Sequence, residues 1–266
     1  MAVFRSLWIG DALSPFERLC IQSFLSHGHG YELFVYDPVA NVPASCRVMD
    51  ARAILPEDLV FRHGEGPGKG SYAGFSDLFR YKLLLDRGGW WVDTDVVCLA
   101  REVPEPPIAL AHEDAALVNG AILRFPSDHP AMQFAYDTAC AAGREFRWGD
   151  IGPRLVTQVV RRFGLERWLV PTQSYYPINY REVTTMLRPG KREEVCAKTA
   201  GATFLHLWNE MFRRTAYDKG CCPPTGSYLR GLFDSYGMSG EFNTEYRIMD
   251  EGDKLRLAVQ RFNHQA

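Results

Sequence analysis

Apolar and polar positions along this chain repeat with two periods. From Phe75 to Leu85, apolar side chains at Phe75, Leu78, Phe79 and the Leu83–Leu85 run recur near the ~3.6-residue spacing of a helix, with Asp77, Arg80 and Lys82 between them. Gly88-Gly89 supplies the stop expected at a helix carboxyl end. Trp90-Trp91-Val92 then has the aromatic and β-branched content of a strand, Asp93-Thr94-Asp95 follows, and Val96 to Leu99 resumes an extended apolar run. Earlier, Val3 to Ile9 reads as a strand ending at Gly10. Ser14-Pro15-Phe16-Glu17 carries a capping box with Pro at the first helical position, and Phe16, Leu19, Cys20 and Phe24 line one helical face that Gly28 or Gly30 ends. Tyr31 to Tyr36 is a second strand, stopped by Asp37-Pro38. Strand, helix, strand in this order predicts a right-handed parallel unit whose ligands bind beyond the carboxyl ends of the strands. Trp8, Gly10 and Asp37 fall on that side.

Residues 40–74 are less regular, with Pro43 and Pro56 followed by a glycine-rich run, HGEGPGKGSYAG, at 63–74. That run lacks the G-x-x-x-x-G-K-[ST] spacing and follows no clear strand, which excludes a P-loop and leaves a mobile loop that orders over substrate. Lys69 within it reads as solvated surface. Beyond Leu99, Pro104, Pro106 and Pro107 mark a crossing segment. Ile108 to Ala111 predicts a short strand ending in His112-Glu113-Asp114, and Val118 to Leu123 another. Ser127 and Pro130 begin a helix through Ala142. Gly149 to Pro153 begins the next, with Leu155, Val156, Val159, Val160 and Phe163 inward. Trp168 to Pro171 suggests a strand, Ser174 to Ile178 an aromatic loop, and Thr203 to Trp208 a late strand. Helical patterns close the chain around Tyr228 to Phe233 and Leu255 to Phe262.

At 266 residues, 46% hydrophobic and 23% charged, the chain suits one large α/β domain or two small ones. A formal net charge of −2 argues against nucleic acid as a partner. Seven cysteines without a C-x-x-C pair point to reduced thiols and a cytoplasmic protein, with Cys221-Cys222 as two free thiols. No apolar run approaches the ~20 residues that span a bilayer. The first residues read as a strand and helix of the domain rather than as a signal peptide.

Candidate chemistry concentrates near residues 77–95. Residues two apart on an extended chain point the same way, so Asp93 and Asp95 would converge beside Trp91. Two convergent carboxylates repel unless a cation or proton lies between them, and an oxygen-rich pair suits Mg²⁺ or Mn²⁺. The competing reading is a turn capped by Asp. Asp77 and Arg80 share a helical face, either as an exposed ion pair or with the Arg fork gripping phosphate or sugar oxygens. Trp8, at the end of the first strand, reads by itself as a core aromatic. Asp114 and Asn119 are turn residues or site residues. His206, in a His-x-Trp ending with Trp208, is structural or a ligand.

The order S-D-L-x-R at 76–80, G-G-W-W at 88–91 and D-T-D at 93–95 resembles the DXD-containing glycosyltransferases of family 32 and their relatives. These include the α-1,4-glycosyltransferases and the catalytic domains of large clostridial toxins. The resemblance is dense over residues 75–99. Weaker matches at Asn119-Gly120, at the G-P-x-L element Gly152–Leu155 and at His206–Trp208 extend it over most of the chain. It implies a GT-A fold: an α/β domain with a mixed, mostly parallel sheet flanked by helices. One domain over 1–266 would divide into a nucleotide-sugar and metal-binding half, 1–125, and an acceptor-side half with carboxyl-terminal helices, 126–266. It further implies a metal-dependent, retaining transfer of a sugar from a nucleotide-diphosphate sugar, UDP-sugar by family default, to a saccharide, glycolipid or polysaccharide hydroxyl.

The residue roles are carried over with it. Asp95 would bind Mn²⁺ or Mg²⁺ directly, Asp93 through water while holding ribose or sugar, and His206 as a third metal ligand or diphosphate contact. Asp77 and Arg80 would hold donor and sugar hydroxyls. Trp8 would pack on the base, with Gly10, Trp91 and Trp208 beside the donor and Asn119 toward the acceptor. Arginines from Arg144 to Arg167 make a basic face that is solvated or approaches the inner face of a membrane. A catalytically inactive sugar-nucleotide-binding protein and a toxin-like protein glycosyltransferase are the alternatives. A nucleotidyltransferase would need a basic glycine-rich loop after the first strand, which WIGDALSPFERL does not offer.

Overall fold

The two periods become the elements of the computed structural model, which describes residues 1–214, 217–250 and 256–261. Strand β1 (Val3–Trp8), helix α1 (Pro15–Ser26) and strand β2 (Gly30–Val35) form the expected parallel unit, in register from Val3 opposite Gly30 to Trp8 opposite Val35. The capping box is present: Ser14 Oγ accepts from Phe16 N–H at 3.3 Å, and Glu17 accepts from Ser14 N–H at 3.0 Å. These bonds satisfy amide groups that a helix start would leave orphaned. Strand β3 (Arg47–Asp50) adds to β2 in parallel. It lies in the stretch expected to be irregular. As an edge strand with mostly exposed side chains, it has no apolar alternation to betray it.

Helix α2 (Ala73–Arg87) stops at Gly88, φ +60°, where a Cβ would lie 2.4 Å from Ser127 N. Strand β4 (Gly89–Val92) follows, then β5 (Val96–Cys98), β6 (Leu110–Ala111) and β7 (Ile122–Phe125). Helices α3 (Pro130–Ala142) and α4 (Leu155–Phe163) come next, then β8 (Leu169–Val170), α5 (Thr172–Tyr175) and α6 (Arg192–Thr199). The chain continues through β9 (Phe204–His206), α7 (Asn209–Arg214) and α8 (Tyr228–Ser235) to β10 (Thr244–Asp250) and β11 (Arg256–Arg261).

The central five-stranded sheet has the order β3-β2-β1-β4-β7, parallel except for the β4–β7 pair. This is the mixed, mostly parallel sheet that the sequence resemblance implies. Successive residues of β4 serve opposite faces: Trp90 joins Phe4, Phe24 and Phe204 in one core, and Trp91 joins Phe79, Leu83 and Leu123 in the other. Helix α1 covers the first face with fully buried Phe16, Leu19 and Phe24, and α2 covers the second.

Several expectations need correction. Residues 93–95 form a turn, with Val96 N–H donating to Asp93 O at 3.2 Å, rather than continuing an extended run. Strand β5 leaves the central sheet and pairs antiparallel with β9. The predicted strand from Val118 begins only at Ile122, after a turn. The aromatic segment from Ser174 starts within helix α5 rather than in a loop, and Tyr175 and Tyr176 are packed in the core, as tyrosines in such a stretch commonly are. The helix expected at Leu255 to Phe262 is the strand β11 over its described part, paired with β10, while 255 and 262 lie outside the described residues. In the sequence Leu255, Leu257 and Val259 recur two apart with Arg256 and Ala258 between them, a period of two that a helical reading overlooks. All seven cysteines are free thiols, Cys221 and Cys222 included. Among the described residues no helix is long and apolar enough to cross a membrane.

Phe204 sits at the centre of the first core, its ring 5.1 Å from Tyr175, 5.9 Å from Phe4 and Phe24 and 6.0 Å from Trp90. Phe204→Ala is expected to lower the unfolding free energy by about 3–5 kcal/mol in urea titration. Val48→Ala on the exposed edge should change it by less than about 1 kcal/mol.

Candidate active site

Asp77 and Arg80 lie one helical turn apart on α2 and face into the protein, not solvent. Their side chains are 14% and 6% exposed, which removes the exposed ion-pair reading. Arg80 Nη1 donates to Asp77 Oδ1 at 2.6 Å and Nη2 donates to Asp93 Oδ1 at 2.6 Å. The guanidinium lies over the Trp91 ring, 5.3 Å from its centroid, and Trp91 Nε1 donates to the same Asp93 oxygen at 2.7 Å. Trp91 itself is wholly buried, so it shapes Asp93 and presents no open face. Two glycines leave the room required. A Cβ at Gly120 would lie 2.4 Å from Arg80 Nη1, and one at Gly152 would lie 2.9 Å from Asp77 Oδ2. Burial pushes the Asp77 carboxyl up to about 6, against the pull of Arg80. Burial opposes the Arg80 charge too, but Asp93 and Asp77 outweigh it and raise its pKa above the ordinary arginine value.

The second carboxylate is held from elsewhere. The β5–β9 pairing sets Val96 opposite His206, which brings residues 111 apart in sequence into contact. Asp95 Oδ1 meets His206 Nε2 at 3.2 Å, and Oδ2 accepts from Asn209 N–H at 2.8 Å. Asn209 Nδ2 in turn donates to the fully buried Glu17 at 2.8 Å, and Lys219 pairs with the same Glu17 oxygen. Burial works against the charge on both Asp95 and His206. Their mutual attraction and the Asn209 amide prevail: Asp95 is held well below the usual carboxylate range, and His206 is raised. Trp208 stacks 4.0 Å from the His206 ring and donates to Ile178 O at 2.8 Å. It adopts a left-handed φ of +57°, a conformation that costs a bulky residue about 1–3 kcal/mol.

Asp93, Asp95 and His206 each offer a ligand atom within 4.8 Å of the others. Two carboxylate oxygens and an imidazole nitrogen are ligands that a divalent cation can take. His206 Nδ1 is buried without a hydrogen-bond partner among the described residues, so one ring nitrogen is uncommitted. The donor set fits a divalent cation.

Asn119 belongs to this site rather than to a plain Asn-Gly turn. Its Oδ1 accepts from Ala121 N–H at 2.6 Å, and Ala121 O accepts from Asp93 N–H at 2.8 Å. Its amide also donates to Glu113, a buried carboxylate passed over in the His112-Glu113-Asp114 run. Asp114, the candidate named there, is a half-buried turn cap accepting from Ala116 N–H at 2.8 Å. The missed signal was a carboxylate preceding the turn cap at a strand end. Trp8, half-buried with Nε1 unpartnered among the described residues, stands at the carboxyl end of β1. Gly10, φ +151°, lies against it, with a Cβ position 3.4 Å from that nitrogen. Asp37 is exposed, 4.0 Å from Arg52. Lys69 is exposed on a glycine-rich loop closed by His63 N–H to Ser71 O at 2.8 Å, with Gly68 pressed against Trp148. The basic face is largely engaged within the chain: Arg144 lies over Phe61, Arg162 over Phe134 and Arg167 over Trp168, and Arg154 pairs with Asp150.

Residues 125–223 match the family model for the alpha 1,4-glycosyltransferase conserved region. That span includes the weaker matches at Gly152–Leu155 and His206–Trp208 but starts after the dense Phe75–Leu99 stretch. Over 154 residues the chain is 24% identical to the lactosylceramide 4-alpha-galactosyltransferase of Gorilla gorilla gorilla, covering 54% of this chain and 47% of that protein. It is 28% identical over 149 residues to the alpha-1,4-N-acetylglucosaminyltransferase of Homo sapiens, covering 51% and 42%. The chain thus spans about half the length of the curated relatives it matches. Among solved structures it is similar to the PaToxG glycosyltransferase, with a TM-score of 0.47 and 14% identity over 87% of each chain.

Arg80→Met leaves the half-buried Asp77 and Asp93 carboxylates without their shared counter-charge. Unfolding in urea at neutral pH should show a loss of about 3–5 kcal/mol. Arg80→Lys should recover little of it, because one ammonium cannot reproduce the planar fork.

Proposed function

This chain is related to the α-1,4-glycosyltransferases, and on that footing we propose that it is a metal-dependent glycosyltransferase. It moves a sugar from a nucleotide-diphosphate sugar, UDP-sugar in our reading, to a hydroxyl of a glycolipid or oligosaccharide. The observation that carries this reading is the convergence of Asp93, Asp95 and His206 within 4.8 Å, beside a buried arginine, where strand β4 ends. Ligands of such sheets bind at that edge.

Asp95 and His206 would hold Mn²⁺ or Mg²⁺ in place of the contact they make with each other. The bound cation supplies Lewis acidity that offsets charge on the departing diphosphate. Asp93 has Oδ1 committed to Arg80 and Trp91, which leaves Oδ2 for a metal-bound water or a donor hydroxyl. Arg80 contributes a fixed positive charge that needs no reorganisation as negative charge develops. Asp77, held by Arg80, orients donor hydroxyls. Trp8 and Gly10 offer a flat surface for a base at the neighbouring strand end. Trp208, packed on His206, limits water beside the metal ligands and so favours transfer over hydrolysis. Retention of anomeric configuration follows from the family resemblance, and it asks for no covalent nucleophile if the leaving phosphate assists the incoming hydroxyl. The relatives named for lactosylceramide and N-acetylglucosaminyl transfer support a glycan acceptor.

Purified protein with Mn²⁺ and a panel of sugar nucleotides should release nucleoside diphosphate slowly from one of them, and excess chelator should abolish the release. Asp95→Asn is expected to lower the rate by ~10²-fold or more. Wild-type activity in that variant would remove the metal role.

A further inference from the structure

Two polar side chains beside the metal group have no assigned part, and their chemistry bears on the sugar itself; the inference rests on the transferase reading. Glu113 is 9% exposed and fixed at several points. Its N–H donates to Leu117 O at 2.8 Å, its main-chain O accepts from Asn179 Nδ2 at 3.3 Å, and its Oε2 accepts from the Asn119 amide. Through Asn119 and Ala121 it is tied to the turn that carries Asp93. Among the described residues its Oε1 has no hydrogen-bond donor. Tyr176, on the other side of His206, is 3% exposed, and its hydroxyl has no partner among the described residues. The Tyr176 ring lies 5.9 Å from His206 and 5.8 Å from Trp208.

Geometry sets both groups beside the metal ligands: Tyr176 lies against His206, and Glu113 reaches the Asp93 turn through Asn119 and Ala121. A buried hydroxyl without a partner, as at Tyr176, is unfavourable unless a ligand completes it, whereas the free Glu113 oxygen is open to an incoming donor. A pyranose can meet both. Its hydroxyls donate to a carboxylate and bond to a phenol, while its C–H face packs on aromatic rings such as Trp208 and Tyr176.

We infer that Glu113 and Tyr176 bind hydroxyls of the transferred hexose, and that this pair, not the metal group, decides which sugar is accepted. Nucleoside diphosphate alone would engage the metal ligands and Arg80 and leave Glu113 and Tyr176 untouched.

The test separates the two contributions. Glu113→Gln, which keeps an oxygen for the Asn119 amide, and Tyr176→Phe, which removes only an unpartnered oxygen, are titrated with Mn²⁺ and UDP by calorimetry. Both are then assayed with UDP-glucose, UDP-galactose and their N-acetylated counterparts. We expect UDP affinity within about twofold of wild type. The kcat/KM for the preferred UDP-hexose should fall by about 10–100-fold, and the preference among the sugars should flatten. Unchanged turnover and preference would overturn the proposal and leave a bridging water as the partner of both groups. A parallel fall in UDP affinity and turnover would overturn it too, because the pair would then be supporting the metal ligands. Thermal melting of Tyr176→Phe should match wild type, so a loss of turnover there does not come from unfolding. Wild-type protein that neither binds UDP with Mn²⁺ nor turns over any sugar nucleotide sinks the transferase reading and this inference together. Active wild type with indifferent variants sinks this one alone.

Discussion

One guanidinium holds the site together. Arg80 lies between Asp77 and Asp93, and both contacts measure 2.6 Å. At such separations an ion pair in a partly shielded interior is worth on the order of 4 kcal/mol of Coulomb energy, and desolvation of all three charges opposes it. The arrangement therefore depends on all its supports being present together: one turn of α2, the end of β4, the Trp91 face beneath, and the glycines at 120 and 152 that leave room. Removing any partner leaves a charge buried without its counterpart. Asp93 is fixed by this clamp, and the adjacent metal geometry inherits its position.

A second constraint comes from the far part of the chain. Asp95 takes its place because β5 turns out of the central sheet to meet β9, and because Asn209 closes on it from the segment after Trp208. Glu17, which caps α1, also holds Asn209 and Lys219, so a helix start near the amino terminus braces the metal ligands through one side chain. The left-handed backbone at Trp208 is kept by ring contact with His206 and by its bond to Ile178. Local strain of this kind persists only where surrounding contacts over-determine it.

Much of this was legible beforehand wherever a residue's environment follows from its near neighbours. The capping box at Ser14–Glu17, the glycine stop after α2 and the parallel β1–α1–β2 unit all obey local rules. The D-T-D run and the shared face of Asp77 and Arg80 were legible for the same reason. Edge strand β3 was not, because an exposed strand needs no apolar alternation. The strand β11 was mistaken for a helix, since a short apolar stretch fits both periods. Glu113 and Asp114 look alike in the sequence because nothing local separates a buried carboxylate from a half-buried turn cap.

By itself the sequence determined the element types, the parallel start of the sheet and the identity of the charged groups, because helix period, strand period and capping depend on residues a few positions apart. Only the tertiary structure decided which charges meet. Arg80 with Asp93, Asp95 with His206, and Glu113 with Asn119 are contacts set by β4–β7 and β5–β9 pairing and by the packing of α2. The physical reason is burial. A carboxylate's role follows from the counter-charges and amides that reach it once water is excluded, and those arrive from strands and helices distant in the chain.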